Sequence, residues 1–93
     1  MGKKTDNIPK AVALRYEPEK DQAPKVIAKG SGLIAERIKQ IACDSGVPLQ
    51  EDEKLVEYLM SLDLYEEIPP QLYTVVAEIL AFVYAMDRNF KQG

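Results

Sequence analysis

Three short apolar segments follow one another in the first half of the chain, separated by proline, glycine and charged residues. Residues 10–16 and 25–29 are short and contain β-branched or aromatic side chains, as strands do. Residues 33–42 instead repeat apolar side chains at spacings of three and four, as a helix does. This order of two strands and a helix constrains the fold more than composition does, and it predicts an α/β domain.

The length of 93 residues predicts one small domain with a modest core. Hydrophobic residues make up 46% and charged residues 29% of the chain, which favours a folded protein over a disordered one. Residues 1–9 are polar and end in Pro9, which disfavours helix at Ile8, so we expect a flexible arm. Residues 10–90 then form the single domain.

The segment Gly30-Ser31-Gly32 matches neither a Walker motif nor a dinucleotide fingerprint, so we interpret it as a turn in which Ser31 caps the first helix. The apolar stripe of that helix is expected to face the core; it consists of Leu33, Ile34, Ile38, Ile41 and Ala42. Residues 44–46 end the helix, and residues 47–50 are expected to form a third strand, parallel to the second. The predicted fold is therefore a small mixed sheet of three main strands, or four, packed by three to four helices.

In the second half, Asp52 is expected to cap a helix with a core stripe of Leu55, Val56, Leu59 and Met60. Pro70 suits the first turn of a final helix. One apolar stripe of that helix contains Leu72, Val75, Val76, Ile79 and Val83, and a second contains Tyr73, Ala77, Leu80 and Tyr84. Two explanations of this second stripe stay open: the middle helix covers it, or it lines an exposed groove for a partner peptide.

The composition argues against an enzyme, a metal site and a cofactor. The chain has no histidine and a single cysteine, Cys43, which fits a reducing compartment and is expected to be a small buried hydrophobe. The acidic runs at residues 51–53 and 66–67 precede predicted helices, where the exposed amide groups of the helix start favour negative charge. We therefore interpret these carboxylates as capping groups rather than catalytic ones. The net charge of −3 makes nucleic acid an unexpected partner, because its phosphates attract basic proteins.

The longest apolar run, residues 73–86, is shorter than the roughly 20 residues that cross a bilayer. The N-terminus carries charges without an apolar segment behind them, unlike a signal peptide. We therefore expect a cytoplasmic protein without membrane insertion.

Taken together, several segments resemble the cytoplasmic C-terminal domain of the FlhB/YscU family of flagellar and virulence type III secretion. The matching stretches are residues 11–16 (AVALRY), 23–30 (APKVIAKG), 33–38 (LIAERI), 46–49 (GVPL), 67–73 (EIPPQLY) and 76–81 (VAEILA). The resemblance implies a small mixed sheet packed by helices, tied in the family to a membrane-embedded export gate. It also implies that the domain docks export substrates and a ruler protein.

The family cleaves itself at an Asn-Pro-Thr-His loop just before the Ala-Val-Ala-Leu strand. The corresponding positions here are Asp6, Asn7, Ile8 and Pro9, where no asparagine precedes proline and no histidine follows. We therefore predict that this chain does not cleave itself. The family strand upstream of that loop has no counterpart here, which predicts an open sheet edge that needs an arm, a dimer mate or a partner strand.

The resemblance further implies an apolar docking patch, which corresponds to Ala23, Pro24, Ala77 and Leu80; Tyr73 and Tyr84 join it from the second stripe. We thus expect a non-enzymatic interaction module that docks export substrates or export-apparatus components. The alternative is a structural or regulatory subunit that assembles through its open sheet edge, as a dimer for example, and binds no substrate.

Overall fold

The chain folds into two strands with helices on both faces of the sheet, in a computed structural model that describes residues 8–80. The elements in chain order are β1 (Lys10–Arg15), β2 (Lys25–Ser31), α1 (Leu33–Asp44), α2 (Glu53–Met60) and α3 (helical residues 73–80), with a 3₁₀ turn over Pro70–Leu72 leading into α3. The expected α/β class is confirmed. Pro70 also begins the last helical segment, as the sequence predicted.

The sheet of the described residues is antiparallel: the start of β1, Lys10, lies opposite the end of β2, Ser31, and Arg15 lies opposite Lys25. Residues 47–50 form no strand, so the predicted parallel crossover is wrong. Two contacts explain this: the Val47 amide donates to the Ala42 carbonyl at 2.8 Å, which ends α1 in a turn, and the free edge of β2 is occupied by another segment. Gly46, at a φ of 75°, allows this turn.

The outer edge of β2 pairs instead with residues 65–68, a contact that the sequence did not predict. The Val26 amide donates to the Glu66 carbonyl at 3.1 Å, and the Tyr65 amide donates to the Val26 carbonyl at 2.6 Å. The Ile68 amide donates to the Pro24 carbonyl at 2.9 Å. Isolated backbone pairing of this kind leaves no apolar alternation in the sequence, so periodicity gives no sign of it.

The face of the sheet under α1 carries small side chains. Ala11 lies opposite Gly30 in the ladder, and Ala13 lies opposite Ala28 on the same face. A Cβ atom at Gly30 would lie only 2.7 Å from the Cβ of Ile34, and Ala35 of α1 is fully buried. The absence of larger side chains therefore lets α1 approach the strands closely.

The start of α1 differs from the predicted turn. Ser31 is the last residue of β2, and Gly32 occupies the N-cap position with a φ of 65° and no side-chain cap hydrogen bond. Glycine takes this backbone conformation because it has no Cβ. The predicted capping role of Ser31 is thus wrong.

The opposite face of the sheet builds the core. Its buried members are Ala23, Val26, Leu55, Leu59, Leu62, Ile68 and Val76. Val12 and Leu14 of β1 pack against this cluster. The α2 stripe is confirmed in Leu55 and Leu59, and Asp52 caps α2 as expected, accepting from the Leu55 amide at 3.1 Å.

The apolar stripe predicted for α1 is only partly covered. Ile38 and Ala42 are half-buried, whereas Leu33, Ile34 and Ile41 are 88%, 59% and 56% exposed. A two-stranded sheet is narrow, so α1 covers it with one side and the rest of the stripe meets no described element. Cys43 is exposed as well, and its predicted burial is wrong.

Lys29 of β2 is half-buried, and its side chain extends to the end of α2. Its ammonium group donates to the carbonyls of Met60, at 3.0 Å, and of Leu62. These groups sit where a helix exposes unpaired carbonyls and favours positive charge. Lys29 therefore ties β2 to the C-terminus of α2.

We expect Lys29→Met to lower the free energy of unfolding by about 1–3 kcal/mol, because it keeps the apolar stem but leaves two carbonyls without a charged donor. Urea unfolding followed by circular dichroism measures this loss. Lys54→Met, on the exposed side of α2, is the matched control and should change stability by less than about 0.5 kcal/mol. Equal effects of the two substitutions would contradict the role of Lys29.

The loop between the strands is held by Asp21, a buried carboxylate whose side chain is 1% exposed. It accepts a hydrogen bond from the Glu17 amide at 3.0 Å, and its other oxygen lies 3.5 Å from both Arg15 and Lys25. The amide hydrogen bond, with the charges of Arg15 and Lys25, lowers the pKa of Asp21 below the ordinary 3.8 and outweighs the opposing effect of burial. Asp21 thus stays ionised and pins the loop to both strands.

Because the pKa of Asp21 is lower in the folded chain than in the unfolded one, its stabilising contribution is complete above about pH 4 and is lost as the pH falls further. Asp21→Asn should therefore be less stable than the parent at neutral pH, with a smaller decrease of stability on acidification. Urea titrations from neutral pH to about pH 3 measure both effects. Asp63→Asn, at an exposed carboxylate, is the control. If the free energies of unfolding of the parent and of Asp21→Asn differ by the same amount at every pH, the role of the Asp21 charge is refuted.

Candidate functional site

An open apolar groove lies between the loop that leads into β2 and the exposed side of α3. Its volume is about 190 Å³, and it is lined by Tyr16, Gln22, Ala23, Pro24, Tyr73, Ala77 and Leu80. No lining side chain carries a charge. The groove is therefore suited to an apolar group.

The loop wall of the groove is rigidly placed. Ala23 is 2% exposed and belongs to the core cluster, so it forms the base of this wall. The carbonyl of Pro24 accepts a hydrogen bond from the Ile68 amide, and the Asp21 carboxylate fixes the loop just before Gln22 by accepting one from the Glu17 amide. Hydrogen bonds on both sides thus hold Ala23 and Pro24 in one conformation.

The helical wall follows from the spacing of α3. Positions 73, 77 and 80 recur at intervals of four and three, which places them on one face of a helix. Tyr73 and Ala77 are exposed, whereas Leu80 is half-buried and packs against the core. The other stripe of α3 faces the core, with Val76 1% exposed.

These exposures show which residues of the second stripe α2 covers and which it leaves open. The middle helix, α2, does not cover Tyr73 and Ala77. Leu80 combines the two explanations, because it contacts the core and lines the groove. The surplus apolar residues of α3 are thus the reason that a groove exists.

Five of the six predicted docking residues, Ala23, Pro24, Tyr73, Ala77 and Leu80, line this one groove. The sixth, Tyr84, lies outside the described residues. Tyr16 and Gln22 were missed, because they lie just after one strand and within a polar loop, where no periodicity marks them.

The position of the degenerate cleavage loop is at the other end of β1. Ile8 is 54% exposed, and the carbonyl of Pro9 accepts a hydrogen bond from the Gly32 amide at 2.8 Å. Asp6 and Asn7 lie outside the described residues. The groove and this segment are thus separated by the length of a six-residue strand.

The groove is small for a metabolite, since ligand pockets usually measure about 300–1,000 Å³. It offers the Tyr16 and Tyr73 hydroxyls and the Gln22 amide as hydrogen-bonding groups around apolar walls. Within residues 8–80, no group of three or more histidine, cysteine or carboxylate side chains is placed to hold a metal ion. The geometry suits one or two apolar side chains of a polypeptide.

No helix among the described residues combines the length and the apolar character that a bilayer span requires.

Comparison with known proteins identifies the family of this chain. Residues 8–83 match the model of the FlhB HrpN YscU SpaS family. The chain is 49% identical over 84 residues to the uncharacterised protein YlqH of Bacillus subtilis, covering 90% of each. It is 44% identical over 79 residues to the flagellar biosynthetic protein FlhB of Escherichia coli, covering 84% of this chain but 21% of FlhB.

Solved structures agree with the sequence match. The cytoplasmic domain of FlhB from Shewanella putrefaciens superposes with a TM-score of 0.83 at 31% identity, covering 89% of this chain and 65% of that one. The PscU C-terminal domain gives a TM-score of 0.72 at 27% identity, covering 78% of this chain and 94% of that one. By sequence and by fold, the chain belongs to the FlhB HrpN YscU SpaS family of export proteins and resembles the C-terminal cytoplasmic domain of its members.

Proposed function

We propose that this chain is a non-enzymatic interaction module of a flagellar or type III export system, which docks export substrates or export-apparatus components in the cytoplasm. Family membership supports the export role. The single observation that carries the docking role is the exposed apolar wall of α3, with Ala77 at its centre, beside the fixed Ala23–Pro24 wall. Export as such is the activity of much longer relatives, since the chain spans 21% of FlhB from Escherichia coli.

Docking in this groove uses the burial of an apolar side chain between Ala77 and Pro24. Small side chains at positions 23 and 77 leave the space, while Tyr73 and Leu80 supply apolar surface on the helical side. Burial contributes about 25 cal/mol per Å² before the cost of ordering the partner segment. Since the groove is open and small, the complex is weak and reversible.

A chimera tests this function. Residues 10–93 replace the matching segment of Escherichia coli FlhB, and secretion of hook-type substrates into the medium is measured. The unmodified chimera should export, and Ala77→Glu should reduce export by about tenfold or more, because it places a charge in the groove without a partner for it. Ala77 suits this test better than Leu80, since Leu80 also packs against the core.

Thr74→Glu is the matched control, since Thr74 is exposed on the same helix and does not line the groove. It should export as the unmodified chimera does. A stably expressed chimera without export, or equal losses from both substitutions, would contradict docking in the groove.

The proposal includes the absence of self-cleavage. Cleavage of the family type needs an asparagine directly before proline, whereas Asn7 precedes Ile8 here. The chain also contains no histidine that could act as a base near this segment.

The purified chain should therefore keep its full mass during prolonged incubation at neutral pH. Intact-mass spectrometry measures this outcome. As a comparison, the double variant Asp6→Asn with Asn7→Pro places an asparagine–proline bond at the two positions that correspond to the family's cleavage pair, and it tests whether the rest of the fold supports cleavage. A fragment of the parent chain that begins near Ile8 would refute the proposal.

A second candidate function is a structural or regulatory subunit that assembles through the open edge of β1. The observation that favours it is that no described residue pairs with the outer edge of β1. Unpaired backbone groups of such an edge accept a strand from another chain. In the chimera experiment, export that is insensitive to Ala77→Glu would favour this candidate.

A further inference from the structure

An exposed surface of mixed apolar and charged character runs along the outside of α1. We name it the α1 surface; it consists of Leu33, Ile34, Arg37, Ile41, Asp44 and, just beyond the helix, Val47. The four apolar members are all more than half exposed. Exposed apolar side chains grouped on one side of a helix are a feature of interaction sites.

The α1 surface is separate from the groove. Within the described part of the chain, α1 contacts β1 and β2 and makes no contact with α2, so the two helices cover opposite faces of the sheet. The groove is built on the face of α2 and α3, because Ala23 and Leu80 belong to the core packing there. A partner on the α1 surface therefore leaves the groove open.

The charges of the α1 surface indicate which partner it fits. Arg37 and Asp44 are seven residues apart, so they lie on one stripe of the helix, about 10 Å from each other. No carboxylate of the described residues lies within ion-pair distance of Arg37. The carboxylate of Asp44 accepts a hydrogen bond only from the neutral Gln40 amide, at 3.0 Å, among the described residues.

A second copy of the same helix, running antiparallel, matches this pattern. With the two-fold axis between positions 40 and 41, Arg37 of each copy faces Asp44 of the other, which forms two ion pairs. The same register places Leu33 and Ile34 of one copy just beyond the C-terminal end of α1 of the other, where the chain continues to the exposed Val47. Ile41 lies at the axis next to Ile41 of the other copy. In this one register the apolar side chains are covered and each charge gains an opposite charge.

We propose that the α1 surface is the interface of a homodimer in which the two α1 helices pack antiparallel. The contact is closed and self-complementary, as two-fold interfaces are. Since each groove lies on the far side of its own sheet, the dimer presents two grooves. Two binding sites on one particle raise the avidity for a partner with several docking segments.

A disulfide cross-link tests the register. In a Cys43→Ser background, Ile41→Cys places one thiol at the axis of each copy, and Glu36→Cys is the matched control on another side of α1 with similar exposure. Mild oxidation should convert Ile41→Cys into a covalent dimer while Glu36→Cys remains monomeric, because a disulfide forms only when the two Cα atoms come within about 7 Å. Equal cross-linking of both variants would overturn the proposal.

Charge reversal tests the ion pairs in solution. Arg37→Glu or Asp44→Arg alone should raise the dimer dissociation constant by about tenfold or more, because each replaces two attractions by two repulsions. The double variant restores opposite charges at both contacts and should bring the constant back towards the parent value. Sedimentation equilibrium over a range of protein concentrations measures all four proteins.

Two outcomes would overturn the dimer. A parent chain that stays monomeric at about millimolar concentration would show that the α1 surface is not the interface of a homodimer, which leaves it to another occupant such as residues 81–93 or a different protein. A dimer that is unaffected by Ile41→Asp would place the contact elsewhere, for example at the edge of β1.

Discussion

The backbone pairing between residues 24–26 and residues 65–68 holds the two halves of the molecule together. Three hydrogen bonds, from the amides of Val26, Tyr65 and Ile68, join the start of β2 to the segment between α2 and α3. Val26 is fully buried at this place, and Ile68 is 2% exposed, so the pairing lies at the core. Since buried backbone groups without partners are costly, these bonds favour this register of the two halves. Tyr65 adopts a φ of 68° in this pairing, a backbone conformation that glycine adopts far more readily than other residues.

The groove is a consequence of the same pairing. The bond from Ile68 to the Pro24 carbonyl fixes the loop wall, and the chain then passes through Pro70 directly into α3, which forms the other wall. Asp21 holds the rest of the loop through the Glu17 amide and two cations. A binding surface that is fixed before its partner arrives loses less conformational entropy on binding. The fold thus fixes both walls of the groove through contacts within the chain.

The two faces of the sheet differ in side-chain size, and this difference separates the two exposed surfaces of the molecule. Large side chains such as Val26 and Leu14 face the shared core of α2 and α3, while Ala13 and Gly30 admit α1 closely on the other face. A close contact with a narrow sheet buries Ala35 but leaves Ile41 uncovered. The groove and the α1 surface therefore point away from each other, which allows both to be occupied at once.

Sequence patterns predicted the elements that rest on local rules. The two strands, the position of α1, the Asp52 cap and the Pro70 helix start are confirmed, because propensity, capping chemistry and helical spacing act within a few residues. The predictions that failed concern places where a local signal competes with tertiary contacts. Residues 47–50 are apolar enough for a strand, but the sheet edge of β2 is taken by residues 65–68. Lysine is usually a surface residue, yet Lys29 is half-buried because its ammonium group donates to carbonyls at the end of α2.

The candidate site shows the same division. The spacing of Tyr73, Ala77 and Leu80 is visible in the sequence, and the resemblance to a known family joins these positions to the Ala23–Pro24 pair. Tyr16 and Gln22 join the site only in three dimensions. The sequence by itself determined which helix faces are apolar and where the chain turns, because these depend on neighbouring residues. Only the tertiary structure decided which apolar faces are covered, because a sheet of two described strands has room for one helix on its α1 side and leaves part of that helix in solvent.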